Sequence, residues 1–114
     1  MAVDVRSSLE LRSVRESLGL SRERIARAFD VSAKSIERWE ESGGPSRPEQ
    51  RARLAELAEI AELGRVVYPG DGFRLFLNTP LPAFGGRTAL QAVEIGRAAD
   101  VLGALAGDYE GGGS

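Results

Sequence analysis

Apolar positions recur at helical spacing along most of the chain. Leu11, Val14 and Leu18 stand at i, i+3 and i+7, followed by Ile25, Ala26 and Phe29, then by Ile36 and Trp39. Ser7 and Glu10 have capping-box spacing, so a first helix is predicted from Ser7 to about Leu18, where Gly19 supplies the left-handed stop. Leu20 re-enters the core. Ser21 is placed to cap a second helix over about 21–29, Asp30-Val31 forms the turn, and Ser32 caps a third helix over about 32–41. Ile36 and Trp39 share one side of that third helix and can pack onto Ile25 and Phe29. Ala33, Lys34, Ser35, Glu37 and Arg38 are left facing outward. Ser42-Gly43-Gly44-Pro45 then breaks the chain.

The second half begins with Ser46 and Glu49, again at capping-box spacing, with Pro48 tolerated in a first helical turn. Leu54, Leu57, Ala58 and Ala61 make one stripe flanked by Ile60 and Leu63, while Arg51, Glu56, Glu59 and Glu62 keep the other side wet. This connecting helix is predicted over 46–64 and could also carry a dimer seam. From Gly64 the texture changes. Val66-Val67-Tyr68 is apolar, Pro69-Gly70 is a turn, and Asp71 is placed to cap a short helix through Phe73, Leu75, Phe76 and Leu77. Residues 78–88 hold two prolines and two glycines beside Leu81 and Phe84, which predicts an irregular but packed loop. Thr88 and Gln91 form another capping-box pattern, opening a helix that buries Leu90 and Val93. Gly96 interrupts, and a last helix runs from Arg97 to about Ala106 with Val101, Leu102 and Leu105 inside. Residues 107–114 read as a tail, flexible at 111–114, and no role is assigned to its last four residues.

Composition narrows the chemistry. With 114 residues, 42% hydrophobic and 28% charged, the chain is in the range of a folded protein. No run of about 18 apolar residues predicts a transmembrane helix, and no basic stretch followed by an apolar core predicts a signal peptide. The absence of cysteine excludes disulfide and thiolate chemistry and fits a cytoplasmic address. The absence of histidine excludes a histidine general base and leaves a zinc site only carboxylates. No phosphate-binding glycine motif follows a strand, so an enzyme, a cofactor and a metal are not expected. Net charge is −2, but its distribution is uneven: eleven Lys/Arg and nine Asp/Glu lie in residues 1–53, against four and eight in 54–114. A mildly basic half and an acidic half point to two different partners. A single copy would bind DNA weakly, because few phosphates can be neutralised.

The expected fold is all-α, with an N-terminal helix-turn-helix over 1–45, the connecting helix, and a small helical domain over 65–110. Gly19-Leu20-Ser21, Ile25-Ala26, Val31-Ser32 and Ile36-Glu37-Arg38-Trp39-Glu40 resemble the helix-turn-helix of Xre and phage-repressor proteins. A generic αα-hairpin within a bundle is the bland alternative. Phe76-Leu77-Asn78-Thr79-Pro80 and Leu81-Pro82-Ala83-Phe84-Gly85-Gly86-Arg87-Thr88-Ala89-Leu90 resemble the toxin-binding segment of Xre/MbcA/ParS antitoxins. The departures are Phe84 where leucine is usual and Ala89 where proline is usual.

This resemblance implies an antitoxin that neutralises a RES-domain toxin consuming NAD+, represses its own operon, and forms a homodimer or larger assembly. By position it implies DNA contacts from Ser21, Arg22, Ser32, Ala33, Lys34, Ser35 and Arg38, with Arg38 able to hold a guanine by two hydrogen bonds. It implies a structural ion pair between Arg15 and Glu40, with a solvated Arg15 as the alternative. Arg24 and Arg27 fit solvated surface charge as well as any DNA contact. Toxin binding is expected at Phe84, Gly85, Gly86, Arg87, Asp108, Tyr109 and Glu110. Phe73 and Phe84 fit ordinary core as well as an interface, and Arg87 fits a structural role in which its guanidinium satisfies carbonyls of the glycine turn. A stand-alone Xre-type regulator whose second domain only dimerises is the rival reading.

Overall fold

The computed structural model describes residues 5–112, with side chains described from Glu10 to Gly111. All regular structure among the described residues is helical: α1 (Val5–Leu18), α2 (Arg22–Phe29), α3 (Ala33–Ser42), α4 (Pro48–Val67), α5 (Gly72–Asn78), a 3-10 turn (Pro82–Phe84), α6 (Ala89–Glu94) and α7 (Ala98–Gly112). None of these helices is long and apolar enough to cross a membrane.

The N-terminal caps follow the sequence pattern closely. Ser21 Oγ accepts from Arg24 N at 3.1 Å and Ser32 Oγ from Ser35 N at 3.2 Å, each satisfying an amide that the helix leaves orphaned. Between them Asp30 takes φ 56°, a left-handed conformation that aspartate tolerates better than most residues. It closes α2 with its own amide donating back to Arg27 O and the Val31 amide to Ala26 O. Leu11, Ile25 and Ile36 are fully buried where α1, α2 and α3 meet, and Phe29 meets Trp39 edge-on at 5.5 Å.

Several boundaries differ from expectation. α1 already begins at Val5, so Ser7 lies inside the helix rather than at its cap; the Ser7 side chain is outside the described residues. α4 is capped by Arg47, not Ser46, and has no side-chain cap. The cause is Pro48, which bars the residue before it from helical geometry, and Arg47 is extended at φ −74°, ψ 142°. Asp71 precedes α5 but does not cap it, its carboxylate accepting instead from Arg74 at 3.0 Å. Gly64 does not end α4. The helix continues to Val67 because the Phe73 ring packs directly on the glycine, where a Cβ would come within 2.1 Å of Phe73 Cε1.

Most of the core follows the predicted stripes. Leu54, Leu57, Ile60 and Ala61 of α4 are buried, as are Val101 and Leu105 of α7 and Leu90 and Val93 of α6, with α4 packed on both α7 and α1 and α6 on α7. Leu75 is the exception on α5: it is 66% exposed while Phe73, Phe76 and Leu77 are buried. α7 runs six residues past the expected end at Ala106, through Gly107 and Gly111. Its packing on α4, and a hydrogen bond from Tyr68 Oη to Asp108, hold a segment whose glycines disfavour helix.

Candidate functional site

Around the α2–turn–α3 unit, Arg15, Ser21, Arg22, Glu23, Ala33, Lys34 and Glu37 line an open cleft of about 430 Å³. Four of the expected DNA contacts, Ser21, Arg22, Ala33 and Lys34, are therefore brought to one place. Arg38 lies on the same outer side of α3 and its Nη2 sits 3.4 Å from Ser35 Oγ. Ser32 and Ser35 are joined to each other through the cap, their hydroxyls 3.2 Å apart.

Behind this cleft lies a carboxylate bound by several arginines. The Glu40 side chain is 1% exposed. Arg15 Nε donates to it at 2.6 Å and Nη2 at 3.2 Å; Arg22 Nε and Nη2 donate at 3.2 and 3.0 Å; Arg12 Nε lies 3.8 Å away. The expected Arg15–Glu40 contact is present. Arg22 is an addition: the residue placed on phosphate by sequence position is tethered to Glu40 through Oε1, an oxygen it shares with Arg15 Nη2. Burial opposes ionisation of Glu40, but the hydrogen bonds and charge of Arg15, followed by those of Arg22, outweigh it and hold the carboxyl below its usual range.

A second carboxylate escaped sequence reasoning. Glu94 at the end of α6 accepts from Arg24 Nη2 at 2.8 Å and from Arg27 Nη1 at 2.9 Å, its own side chain 10% exposed. Arg24 and Arg27 are thus not free surface charge; they tie α2 to the C-terminal helices. The hydrogen bond from Arg24 holds the Glu94 carboxyl low against the effect of burial, with Arg27 adding to it. Arg53 Nη1 donates to Ala28 O at 3.1 Å and fastens α4 to the same helix. These partners are 25 to 70 positions apart in sequence, so no local pattern marks them.

In the C-terminal half the expected partner-binding residues divide. Phe84 is 5% exposed and packs edge-on against Phe76 at 6.2 Å, so its side chain is core and not contact surface. Phe73 is core as well. Gly85 and Gly86 stand at φ 67° and 84° and turn the chain tightly, with Gly86 N donating to Leu81 O and Arg87 N to Phe84 O. Those backbone bonds close the turn without the Arg87 side chain. Its exposed guanidinium has no hydrogen-bond or ion-pair partner among the described residues. Asp108, Tyr109 and Glu110 lie on α7 and not on a tail, with Tyr109 57% exposed.

The two segments are nevertheless neighbours. Phe84 meets Phe76, Phe76 stacks on Tyr68 at 5.0 Å, and Tyr68 Oη donates to Asp108 Oδ2. That hydrogen bond to a carboxylate, aided by burial, raises the Tyr68 phenol above its ordinary range. No group of three or more possible metal ligands occurs among the described residues.

The geometry defines an all-helical protein with two distinct surfaces, a polar cleft on a tight helix pair and a loop-and-helix face near the acidic C-terminal end. No family model and no curated protein matches the sequence. Among solved structures, a chain in the crystal structure of the M. tuberculosis MbcT-MbcA toxin-antitoxin complex matches with a TM-score of 0.68 at 28% identity, over 91% of this chain and 94% of that one. This neighbour bears out the resemblance to MbcA-type antitoxins, and it spans both halves of the chain rather than one of them.

Proposed function

We propose that this chain is an antitoxin that binds and neutralises a RES-domain toxin degrading NAD+, and that its α2–turn–α3 unit represses the operon encoding both. The observation that carries the reading is the structural likeness to a toxin–antitoxin complex across nearly the whole chain. The exposed Arg87, without a partner among the described residues and on a turn closed by its own backbone, supports a partner surface, because such a loop has little ordering entropy left to lose on binding. Asp108, Tyr109 and Glu110 on ordered helix extend that surface with an aromatic flanked by acids.

On DNA, Lys34 and Arg38 read base edges while Ser21, Arg22 and Ser35 meet phosphates. Glu37 and Glu41 lower the local potential, so operator binding requires a dimer or larger assembly. The chain acts by binding in both roles and catalyses nothing itself.

The test is co-purification with the product of the neighbouring gene, followed by an NAD+-consumption assay with and without this chain. A complex that suppresses NAD+ loss is the expected result. Removal of residues 107–114 should weaken neutralisation more than promoter binding. No complex and no effect, with salt-sensitive promoter binding intact, would overturn the antitoxin role and leave a regulator whose second half only assembles it.

A further inference from the structure

Two opposite charges on the outer face of α3 stand without partners. Lys34 and Glu37 are exposed, three positions apart, and both line the cleft beside Ala33. Residues at that spacing have Cβ atoms about 5–6 Å apart, close enough for opposite charges to pair. Elsewhere in this chain they do so in the same cation-first order, Arg53 with Glu56 at 3.6 Å and Arg97 with Asp100 at 2.7 Å. Lys34 and Glu37 make no ion pair or hydrogen bond, with each other or with any other group among the described residues. Nor does packing give Glu37 a task, since Ile36 and Glu40 supply the buried face of α3.

Ala33, Lys34, Glu37 and Arg38 fall at i, i+1, i+4 and i+5, on one side of the helix. A surface that meets Lys34 and Arg38 therefore encloses Glu37 as well. On DNA this matters, because a carboxylate shut in among phosphates and base acceptors is costly unless a donor meets it. The major groove offers two base donors. Adenine N6 lies beside the N7 acceptor, which repels a carboxylate. Cytosine N4 stands on an edge with no acceptor of its own, and the paired guanine presents O6 and N7 next to it. A carboxylate and a cation side by side match that edge, acceptor to donor and donor to acceptors. The same carboxylate rejects thymine, whose O4 would face it without a proton.

We propose that Glu37 is a base-reading residue of α3, accepting from a cytosine N4 amino group while Lys34 donates to the guanine O6 and N7 acceptors beside it. This rests on the operator-binding reading above and adds a carboxylate to the cations which that reading uses. Glu37 lowers affinity for DNA in general and raises discrimination among sequences.

The experiment measures binding of the full chain to a duplex carrying the promoter of its own operon and to a scrambled duplex of equal length and composition. Base preference is mapped by sequencing duplexes selected from a library randomised over the protected segment. The wild type should require cytosine at one position of each half-site, with thymine there weakening binding by about tenfold or more. Glu37→Gln keeps the size of an exposed side chain and is checked for an unaltered circular dichroism melt. Glutamine fits the adenine N6/N7 edge, so the requirement should pass from cytosine to adenine. Binding to the scrambled duplex should strengthen, because a repelling charge is gone. Glu23→Gln, on the α2 side of the same cleft, is the comparison for charge alone and should strengthen binding to both duplexes alike. If Glu37→Gln does no more than that and leaves the base preference of the wild type unchanged, Glu37 only repels phosphates, and the proposal is overturned with the operator reading intact. A sequence preference in the wild type that includes no such cytosine overturns it in the same way. A wild-type chain that binds the promoter no better than the scrambled duplex overturns both.

Discussion

Replacing Glu40 by glutamine tests the energetics of the N-terminal unit. The substitution keeps size and one carbonyl oxygen but removes the charge that three arginines share. The consequences differ among them. Arg12 and Arg22 are 48% and 44% exposed and can turn to water, so their pairing is screened and adds little. Arg15 is 16% exposed, is held between α1 and α3, and once Glu40 is neutral keeps an uncharged acceptor there and a 3.5 Å contact to Leu20 O but no counter-charge on that carboxyl. Breaking a buried pair by removing one partner costs about 3–5 kcal/mol, because the other charge stays buried without compensation. The solvent reach of Arg22 puts the expectation at the low end, about 3 kcal/mol, or a fall in Tm of roughly 10 °C.

Equilibrium urea unfolding of the wild type and Glu40→Gln reads the difference, with an unchanged m-value showing that only stability moved. The sign with pH follows from the carboxyl being held low. Its contribution is fully present above the ordinary value of 4.5 and is lost as pH falls through the lower folded value, so the two stability curves should converge in acid. A difference below about 1 kcal/mol at neutral pH would refute the reasoning, because it would place the cluster with exposed surface pairs. So would an Arg22→Ala effect equal to that of Arg15→Ala.

Other consequences are open to measurement. Glu94→Gln should cost about 1 kcal/mol at neutral pH, its partners being partly solvated; the loss should begin to fade as pH falls below 4.5, vanish only below the lower folded value, and be accompanied by faster amide exchange in α2 and α6. Gly64→Ala should lower the unfolding free energy measured in urea by about 1–3 kcal/mol through overpacking against Phe73, despite alanine's better helix propensity. Thr88→Ala removes the side-chain half of the α6 capping box, leaving the Gln91 amide without its cap, and should cost about 1 kcal/mol in the same assay. Asp108→Asn should bring the Tyr68 phenol back down toward 10.0 in an ultraviolet titration; an unchanged curve would mean that the hydrogen bond is not formed in solution.

Much of this protein is written in short stretches of sequence. The caps at Ser21, Ser32 and Thr88 depend on atoms within three residues of each other, and the apolar stripes of α1 to α4 depend on spacing alone. Periodicity and cap chemistry act before any distant contact exists, which is why those elements and their buried faces were legible. The Arg15–Glu40 pair, 25 positions apart, was visible only through the family resemblance. Phe84 showed the limit of residue type as a guide: an aromatic on a Pro/Gly loop fits both a core and an interface, and only the rings of Phe76 and Tyr68 beneath it decide for core. Tertiary packing alone decided that Gly64 lies within a helix, since the space for Phe73 is made by a residue nine positions away. It alone carried α7 past its glycines, through burial against α4 that local propensity does not contain. It alone set Arg24 and Arg27 on Glu94, because a carboxylate's partners are chosen by where the folded chain puts it, not by its neighbours in sequence.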